Sequence, residues 1–257
     1  MLMNTLKTEL NDEELSRYSR QILLSEIDYA GQLKLAQSHA VIFGLGGLGS
    51  PASLYLASAG VGTLTLVDFD EVDDSNLQRQ VIHREANIGQ PKVLSAKENL
   101  QALNHHIDIH TVNHKLDETE LEALIQSADI VLDCTDNFES RFALNRVCLK
   151  QKKPLVSGAA IRWEGQLTTY DFRQEDSPCY QCLYKEGQGQ ELTCSQNGVV
   201  APMVGMVGSM QAMEAIKALI GLPTLVGKLM IMDGVTMQIR TLKLSKDPDC
   251  KTCHPPH

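Results

Sequence analysis

Apolar residues along this chain fall into short unbroken runs, and amphipathic stretches lie between them. Ala40–Phe43, Leu64–Asp68, Ile107–Val112, Ile130–Cys134 and Pro154–Ser157 read as strands. The first of these ends at glycines and has no polar alternation, the mark of a strand covered on both faces. Helices are expected over about Gly47–Ala59 and from Pro91 to about Leu103, the second opened by a proline whose missing N–H would be unpaired anyway. Asn11 with Glu14 three residues on makes a capping-box pair, so a helix is expected from there to about Leu24, with Arg17 and Arg20 on one face. Strands alternating with helices predict an α/β fold with a doubly wound, mostly parallel sheet.

After about Gly158 the pattern changes. Gly165–Phe172, Leu229–Met232 and Thr236–Leu244 read as strands joined by closer turns, predicting a C-terminal antiparallel extension interrupted by a helix from about Pro202 to Leu219. Lys185–Gly198, rich in Gly, Gln and Glu, reads as a crossover loop. The expectation is a single unit over residues 1–257, with a first half over 1–158 and a second over 159–257.

Composition narrows the function. The chain has 257 residues, 43% of them hydrophobic and 21% charged, enough to bury a full core. Its net charge of −9 argues against a nucleic-acid backbone as partner, which needs a basic face. The start lacks a basic region followed by an apolar stretch, and the greasiest segment, Val199–Gly208, is short and broken by Pro202 and glycines. No membrane partner and a cytoplasmic location are therefore expected. Seven cysteines, an odd number, rank metal binding and thiol chemistry above a disulfide framework.

The segment Gly44-Leu45-Gly46-Gly47-Leu48-Gly49 matches G-x-G-x-x-G between a strand and a helix. That context gives the motif meaning: the glycines let backbone approach a phosphate, and the helix N-terminus offers free N–H groups. Asp68 ends the next strand at the spacing of a ribose-binding acid, so a nucleotide site on a Rossmann-like sheet is expected. NAD, FAD and ATP all fit this much. Arg79 follows the acid strand, and Lys92 sits in a first helical turn, where the macrodipole opposes a cation unless an anion is near. Asp136 and Asn137 follow the strand ending at Cys134, with Asp136 suited to Mg²⁺ bridging phosphates. Together they favour ATP with its metal, although Asn137 is equally suited to capping a helix. The histidines show no usable spacing, and solvated positions are expected for them.

Cys179-Tyr-Gln-Cys182 and Cys250-Lys-Thr-Cys253 supply four thiolates in two Cys-x-x-Cys pairs, the donor set of a tetrahedral zinc site. A full ligand set leaves no open position, so the expected role is structural, tying the C-terminal end back to the middle. Cys134 and Cys148 read as small core residues, whereas Cys194 falls in the crossover loop.

Taken in order, Arg17-Tyr18-Ser19-Arg20-Gln21, the glycine loop, Ser75-Asn76-Leu77-Gln78-Arg79-Gln80, Gly89-Gln90-Pro91-Lys92, Asp133-Cys134-Thr135-Asp136-Asn137 and the two cysteine pairs form a series. This series resembles the MoeB/ThiF family, bacterial relatives of the ubiquitin-activating enzymes, over nearly the whole chain. The resemblance implies ATP-dependent adenylation of the C-terminal glycine carboxylate of a small ubiquitin-like sulfur carrier ending in Gly-Gly, with release of pyrophosphate. Asp68 and Lys92 would hold the ribose and neighbouring phosphate, and Asn76 and Arg79 the phosphates, with Ser75 and Gln78 in the same segment. Asp136 would bind Mg²⁺, and Arg20 would reach into the partner's site of a homodimer. Cys194 stands where a thiamine-branch member can link covalently to its carrier. Ser157–Gly165 is similar to the molybdopterin branch, with its MoaD-like carrier, while Ser19–Leu24 is equally at home in the thiamine branch with its ThiS-like carrier. A separate sulfur donor, a cysteine desulfurase or rhodanese-like protein, is expected. Hydride transfer by an NAD(P)-dependent oxidoreductase is the competing reading of the glycine loop.

Overall fold

A computed structural model describes residues 7–186 and 198–254. Its strands are β1 (His39–Phe43), β2 (Thr63–Val67), β3 (Asp108–Val112), β4 (Ile130–Asp133), β5 (Pro154–Ile161), β6 (Glu164–Asp171), β7 (Lys228–Asp233) and β8 (Gln238–Lys243). They form one sheet in the order β3-β2-β1-β4-β5-β6-β7-β8. Pairing is parallel from β3 through β5 and antiparallel from β5 to β8. The expected mostly parallel half and antiparallel extension are both present, in one continuous sheet.

Successive residues of β1 point to opposite faces, and both faces are dry. Ala40 and Ile42 join one core with Leu64, Leu66, Leu132 and Val156, covered by α4 (Gly49–Ser58), α5 (Lys92–Leu103) and a long helix, α9 (Ala201–Ile220). Val41 and Phe43 join the other, under α6 (Glu118–Ser127) and α7 (Phe138–Lys150). Each fully buried Leu or Ile contributes about 1.5–3 kcal/mol by leaving water. Strand order reverses between β1 and β4, whose carboxyl ends therefore flank a crevice, the place where open α/β sheets take ligands.

Four local readings change. The helix expected over 11–24 is two short ones, α1 (Asp12–Arg17) and α2 (Ser19–Ile22), so Arg17 and Arg20 lie on either side of a break at Tyr18 (φ −94°, ψ 8°). The capping box at Asn11 and Glu14 forms as expected, but the Tyr18 ring is buried, and Asn104 Nδ2 donates to its hydroxyl at 2.8 Å. That tertiary anchor overrides helix continuity. A helix not read from the sequence, α3 (Asp28–Gln37), contains Gly31 and buries Gln32 and Leu35. Pro91 is the residue before α5 (φ −52°, ψ 130°), which makes Lys92 the first helical position. Strand β5 runs to Ile161 because it pairs with β6 along its whole length.

The helix α9 is long and apolar enough to cross a membrane, yet it is a core element, with Val207, Gln211 and Ala215 fully buried. Pro202 lies in its first turn, where no N–H is missed, and Gly208 permits close contact: a Cβ there would lie 2.1 Å from the Leu48 carbonyl oxygen. Most of the expected crossover loop, with Cys194, lies outside the described residues.

Candidate functional site

A cleft of about 540 Å³ opens over the carboxyl ends of β1 and β4. Gly44, Gly46 and Gly47, with Asp68, Arg79 and Lys92, line one side. Asp136 and Asn137, after β4, line the other, and Gly158 to Ala160 of β5 extend the wall. Residues distant in sequence meet here because their strands end at the same edge of the sheet.

The glycines do different work. Gly44 has φ +88°, and a Cβ there would lie 2.7 Å from the Cys134 carbonyl oxygen, while one on Gly49 would lie 1.9 Å from the Gly44 oxygen. Both are required by the turn and by helix–strand packing. A Cβ on Gly47 would meet Val204 of α9 at 2.7 Å. At Gly46 the nearest atom is Gln80 Nε2, at 3.6 Å, so Gly46 leaves backbone open to the cleft. The N–H of Leu45 donates to Asp68 Oδ2 at 2.6 Å, and the N–H of Asp70 donates to Oδ1 at 2.9 Å. Asp68 thus braces the glycine loop besides facing the cleft. Burial pushes its carboxyl up, and Lys92 opposes that shift.

The loop is braced from beneath as well. Buried His83 donates through Nε2 to the Leu45 carbonyl at 3.1 Å, and its Nδ1 lies 2.8 Å from Ser95 Oγ on α5. A carbonyl can only accept, so Nε2 carries the hydrogen. Burial holds this imidazole below its ordinary pKa. The expectation of solvated histidines holds for His105 and His114 and fails for His83, which is 6% exposed, and for His106, whose side chain is 9% exposed.

Lys92 Nζ pairs with Asp70 Oδ2 at 2.9 Å, so a carboxylate supplies the anion that the first-turn cation called for. Its side chain is 6% exposed and lines the cleft. Arg79 Nη1 donates to the Ser75 carbonyl at 3.2 Å, and Nη2 donates to Asn76 Oδ1 at 2.9 Å. Asn76 and Ser75 therefore hold Arg79 rather than lining the cleft themselves, and Gln78 is exposed outside it. Gln80 is buried at the cleft wall, and its Oε1 has no partner among the described residues. Arg20 is exposed on α2, away from the cleft of its own chain.

Across the cleft, Asn137 caps α7 by accepting the Ser140 N–H at 2.9 Å. Exposed Asp136 precedes it, with no hydrogen bond to its carboxylate among the described residues. Beneath lies a buried network that the sequence reading missed. Asp133 accepts Thr135 Oγ1–H at 2.7 Å and Ser157 Oγ–H at 2.9 Å, and it pairs with Arg141 at 3.5 Å. Arg141 stands one turn into the helix that Asn137 caps, which is the sequence signal that could have found it.

The four cysteines of the two pairs converge. Cys179 Sγ lies 3.6 Å from Cys250 Sγ and 3.8 Å from Cys182 Sγ, and Cys182 Sγ lies 3.5 Å from Cys253 Sγ. A tetrahedron with Zn–S bonds of about 2.3 Å has sulfur–sulfur edges of about 3.8 Å, so the donor set and spacing fit zinc. The backbone N–H groups of Cys179 and Asp247 both point at Cys182 Sγ, each at 3.4 Å, as suits a thiolate. Cys134 and Cys148 are buried, and burial pushes both thiols well above their ordinary range, in keeping with core roles.

These features describe an α/β domain with a cleft at its strand ends and a four-cysteine cluster that could hold a metal, and the chain belongs to the ThiF family, whose model matches residues 18–252. It is 53% identical over 246 residues to the molybdopterin-synthase adenylyltransferase of Escherichia coli strain K12, covering 95% of this chain and 98% of that protein. An adenylyltransferase and sulfurtransferase of Anopheles gambiae is 44% identical over 250 residues, 96% of this chain and 56% of that longer protein. Among solved structures, E. coli MccB with ATP superposes with a TM-score of 0.81 at 26% identity, covering 96% of this chain and 75% of that one.

Proposed function

We propose that this chain is an adenylyltransferase that activates the C-terminal glycine carboxylate of a small sulfur-carrier protein of the MoaD type, using ATP. The carboxylate oxygen attacks the α-phosphorus, forming the acyl-adenylate as the bond to pyrophosphate breaks. This step needs no enzyme nucleophile. It needs two anions brought together and charge neutralised as it moves onto pyrophosphate, so cations and geometry supply the rate. The observation that carries the reading is the cleft at the β1–β4 crevice, where the open backbone of Gly46, Asp68, Lys92, Arg79 and Asp136 face one space. The near full-length identity to the E. coli molybdopterin-synthase adenylyltransferase supports it.

In this reading Asp68 takes the ribose, Lys92 and Arg79 take the phosphates, and Asp136 holds Mg²⁺, which neutralises phosphate charge when bound. Ser75 and Asn76 act through Arg79. The four-cysteine cluster holds structural zinc, and the half over residues 159–257 receives the carrier. The chain acts as a homodimer in which Arg20 reaches the neighbouring site, and a separate protein supplies sulfur to the adenylated carrier. The relatives favour neither a thiamine-pathway carrier nor hydride transfer. A role for Cys194, outside the described residues, is settled by assaying sulfur transfer with Cys194→Ala.

The test is ATP–pyrophosphate exchange with carriers ending in Gly-Gly, one from each pathway. Exchange is expected with the molybdopterin carrier, falling sharply in Arg79→Ala and Asp136→Ala. Exchange indifferent to both substitutions overturns the assignment of catalysis to this cleft.

A further inference from the structure

The parallel ladder between β4 and β5 ends at the pair Asp133 and Ser157. Beyond it the chains part: β4 leaves through Thr135 to Asp136, while β5 continues along β6 with Gly158, Ala159 and Ala160 on the cleft wall. Backbone carbonyls at such a fork have lost their ladder partners and need other donors when buried. One side chain provides them. Arg141 Nη2 donates to the carbonyls of both Thr135 and Gly158, the latter at 2.9 Å. Its Nη1 lies 3.5 Å from Ser157 Oγ and 3.5 Å from Asp133 Oδ2. Arg141 is 7% exposed and Asp133 1%, so the bridge is largely shielded from water.

The two carbonyls belong to opposite sides of the reaction. Thr135 immediately precedes Asp136, the acid on the nucleotide side. Gly158 opens the part of β5 that lines the rest of the cleft, the space that the adenylation reading leaves for the incoming acyl group. One rigid, planar guanidinium therefore fixes the distance between the two walls. A lysine could keep the charge opposite Asp133 but could not reproduce the fork of donors that spans both carbonyls.

We propose that Arg141 is a positioning residue that sets the spacing between nucleotide and acyl acceptor, acting through the Thr135 and Gly158 carbonyls rather than by touching ATP. The inference rests on the adenylation reading above. Misplacement of reacting groups by about 1 Å costs on the order of 100-fold in rate. Loss of the bridge should therefore lower the turnover of pyrophosphate exchange and leave nucleotide affinity nearly intact.

The experiment compares Arg141→Lys, Arg141→Met and the double variant Asp133→Asn/Arg141→Met, each checked for zinc content and thermal midpoint. Turnover should fall roughly 100-fold in Arg141→Met and at least about 10-fold in Arg141→Lys, with KM for ATP within about threefold of wild type. The double variant removes the buried charge imbalance, so wild-type turnover there would assign Arg141 to charge balance and overturn the proposal. Unchanged turnover in Arg141→Lys, or loss of ATP binding with turnover maintained at saturating ATP, would overturn it too. Amide hydrogen exchange gives a readout independent of the reaction: protection over residues 134–137 and 157–160 should drop together in Arg141→Lys, and independent behaviour of the two segments counts against the bridge. Wild-type protein without exchange activity toward any carrier sinks the adenylation reading, and the hydrogen-exchange result still decides whether the bridge exists.

Discussion

His83 Nε2 donates to the carbonyl of Leu45 at 3.1 Å, tying the inside of the glycine loop to a buried imidazole that also meets Ser95 of α5. The loop that presents Gly46 to the cleft is thus held from two sides, by Asp68 at the Leu45 N–H and by His83 at the Leu45 carbonyl. Replacing His83 with alanine leaves the Leu45 carbonyl only the longer bond from the Ser50 hydroxyl, at 3.3 Å, and takes the imidazole from Ser95. The cost is about 1 kcal/mol, and the loop loosens. The expected outcome is a lower unfolding midpoint together with a raised KM for ATP. A drop in stability with KM unmoved would confine His83 to the core.

The same imidazole gives a pH dependence with a definite sign. Burial lowers the His83 pKa in the folded chain below the ordinary 6.5, so on acidification the unfolded chain takes up its proton first. Its contribution to stability is whole above about pH 6.5 and is lost as pH falls toward the folded value, with a slope of at most about 1.4 kcal/mol per pH unit. His39 is shifted in the same direction, chiefly by its own burial, so the contribution of His83 is read as a difference. Urea unfolding at pH 7.5, 6.5 and 5.5 should show a shallower decline for His83→Gln than for wild type. Parallel declines would mean that His83 does not titrate as its burial requires.

Much of this arrangement was legible in the chain. The run Ala40–Phe43 with its glycines, the acid at Asp68 and the acid at Asp136 each mark the end of a strand, and strand ends of one parallel sheet must share an edge. The cysteine pairs were legible because four thiolates at that spacing have few other uses. The missing parts are those that depend on tertiary contact. Helical periodicity does not reveal that Tyr18 is pinned by Asn104, which breaks the N-terminal helix. Nor does it distinguish a buried Arg141 from a solvated one, because its backbone partners are a carbonyl just beyond β4 and another within β5. His83 escaped for the same reason, its acceptor lying in a loop far back along the chain.

Asp136 carries no protein partner among the described residues, although it lines the cleft beside the capped start of α7. A carboxylate left open beside the proposed phosphate site is available to a cation. Asp136→Asn keeps size and polarity but removes the charge, so it should raise the Mg²⁺ concentration needed for half-maximal exchange and lower turnover, with little change in thermal midpoint. An unaltered Mg²⁺ dependence would move the metal to another group.

Zinc at the cysteine cluster predicts a metal content near one per chain and a stability that depends on it. The cluster joins the turn before α8 (Tyr180–Leu183) to the C-terminal turn, and Tyr180 N–H donates to Asn145 of α7 at 2.8 Å, so its loss loosens one face of the sheet. Cys253→Ser should lose the metal and lower the midpoint. A cost of about 3 kcal/mol corresponds to roughly 10 °C in a chain of this size. Acid should release the metal, because protons compete for the thiolates. A midpoint that ignores both chelation and Cys253→Ser would show that the four sulfurs stabilise nothing.

Arg20 is exposed on α2 and away from its own cleft, which is where a residue serving the neighbouring site must be. Leu23 and Leu24 next to it are 74% and 52% exposed, an apolar pair suited to being covered by a second copy. If Arg20 acts across a twofold axis, Arg20→Ala and Asp136→Ala are each inactive alone but complement when mixed. In the mixed dimer, the subunit that keeps Asp136 receives Arg20 from its partner, and the other site stays dead. Random reassortment of equal amounts makes half the dimers mixed, each with one working site of two, so about a quarter of wild-type exchange should return. No recovery after denaturation and refolding of the mixture, with mixed dimers demonstrated by differential tags, would place Arg20 outside the neighbouring site.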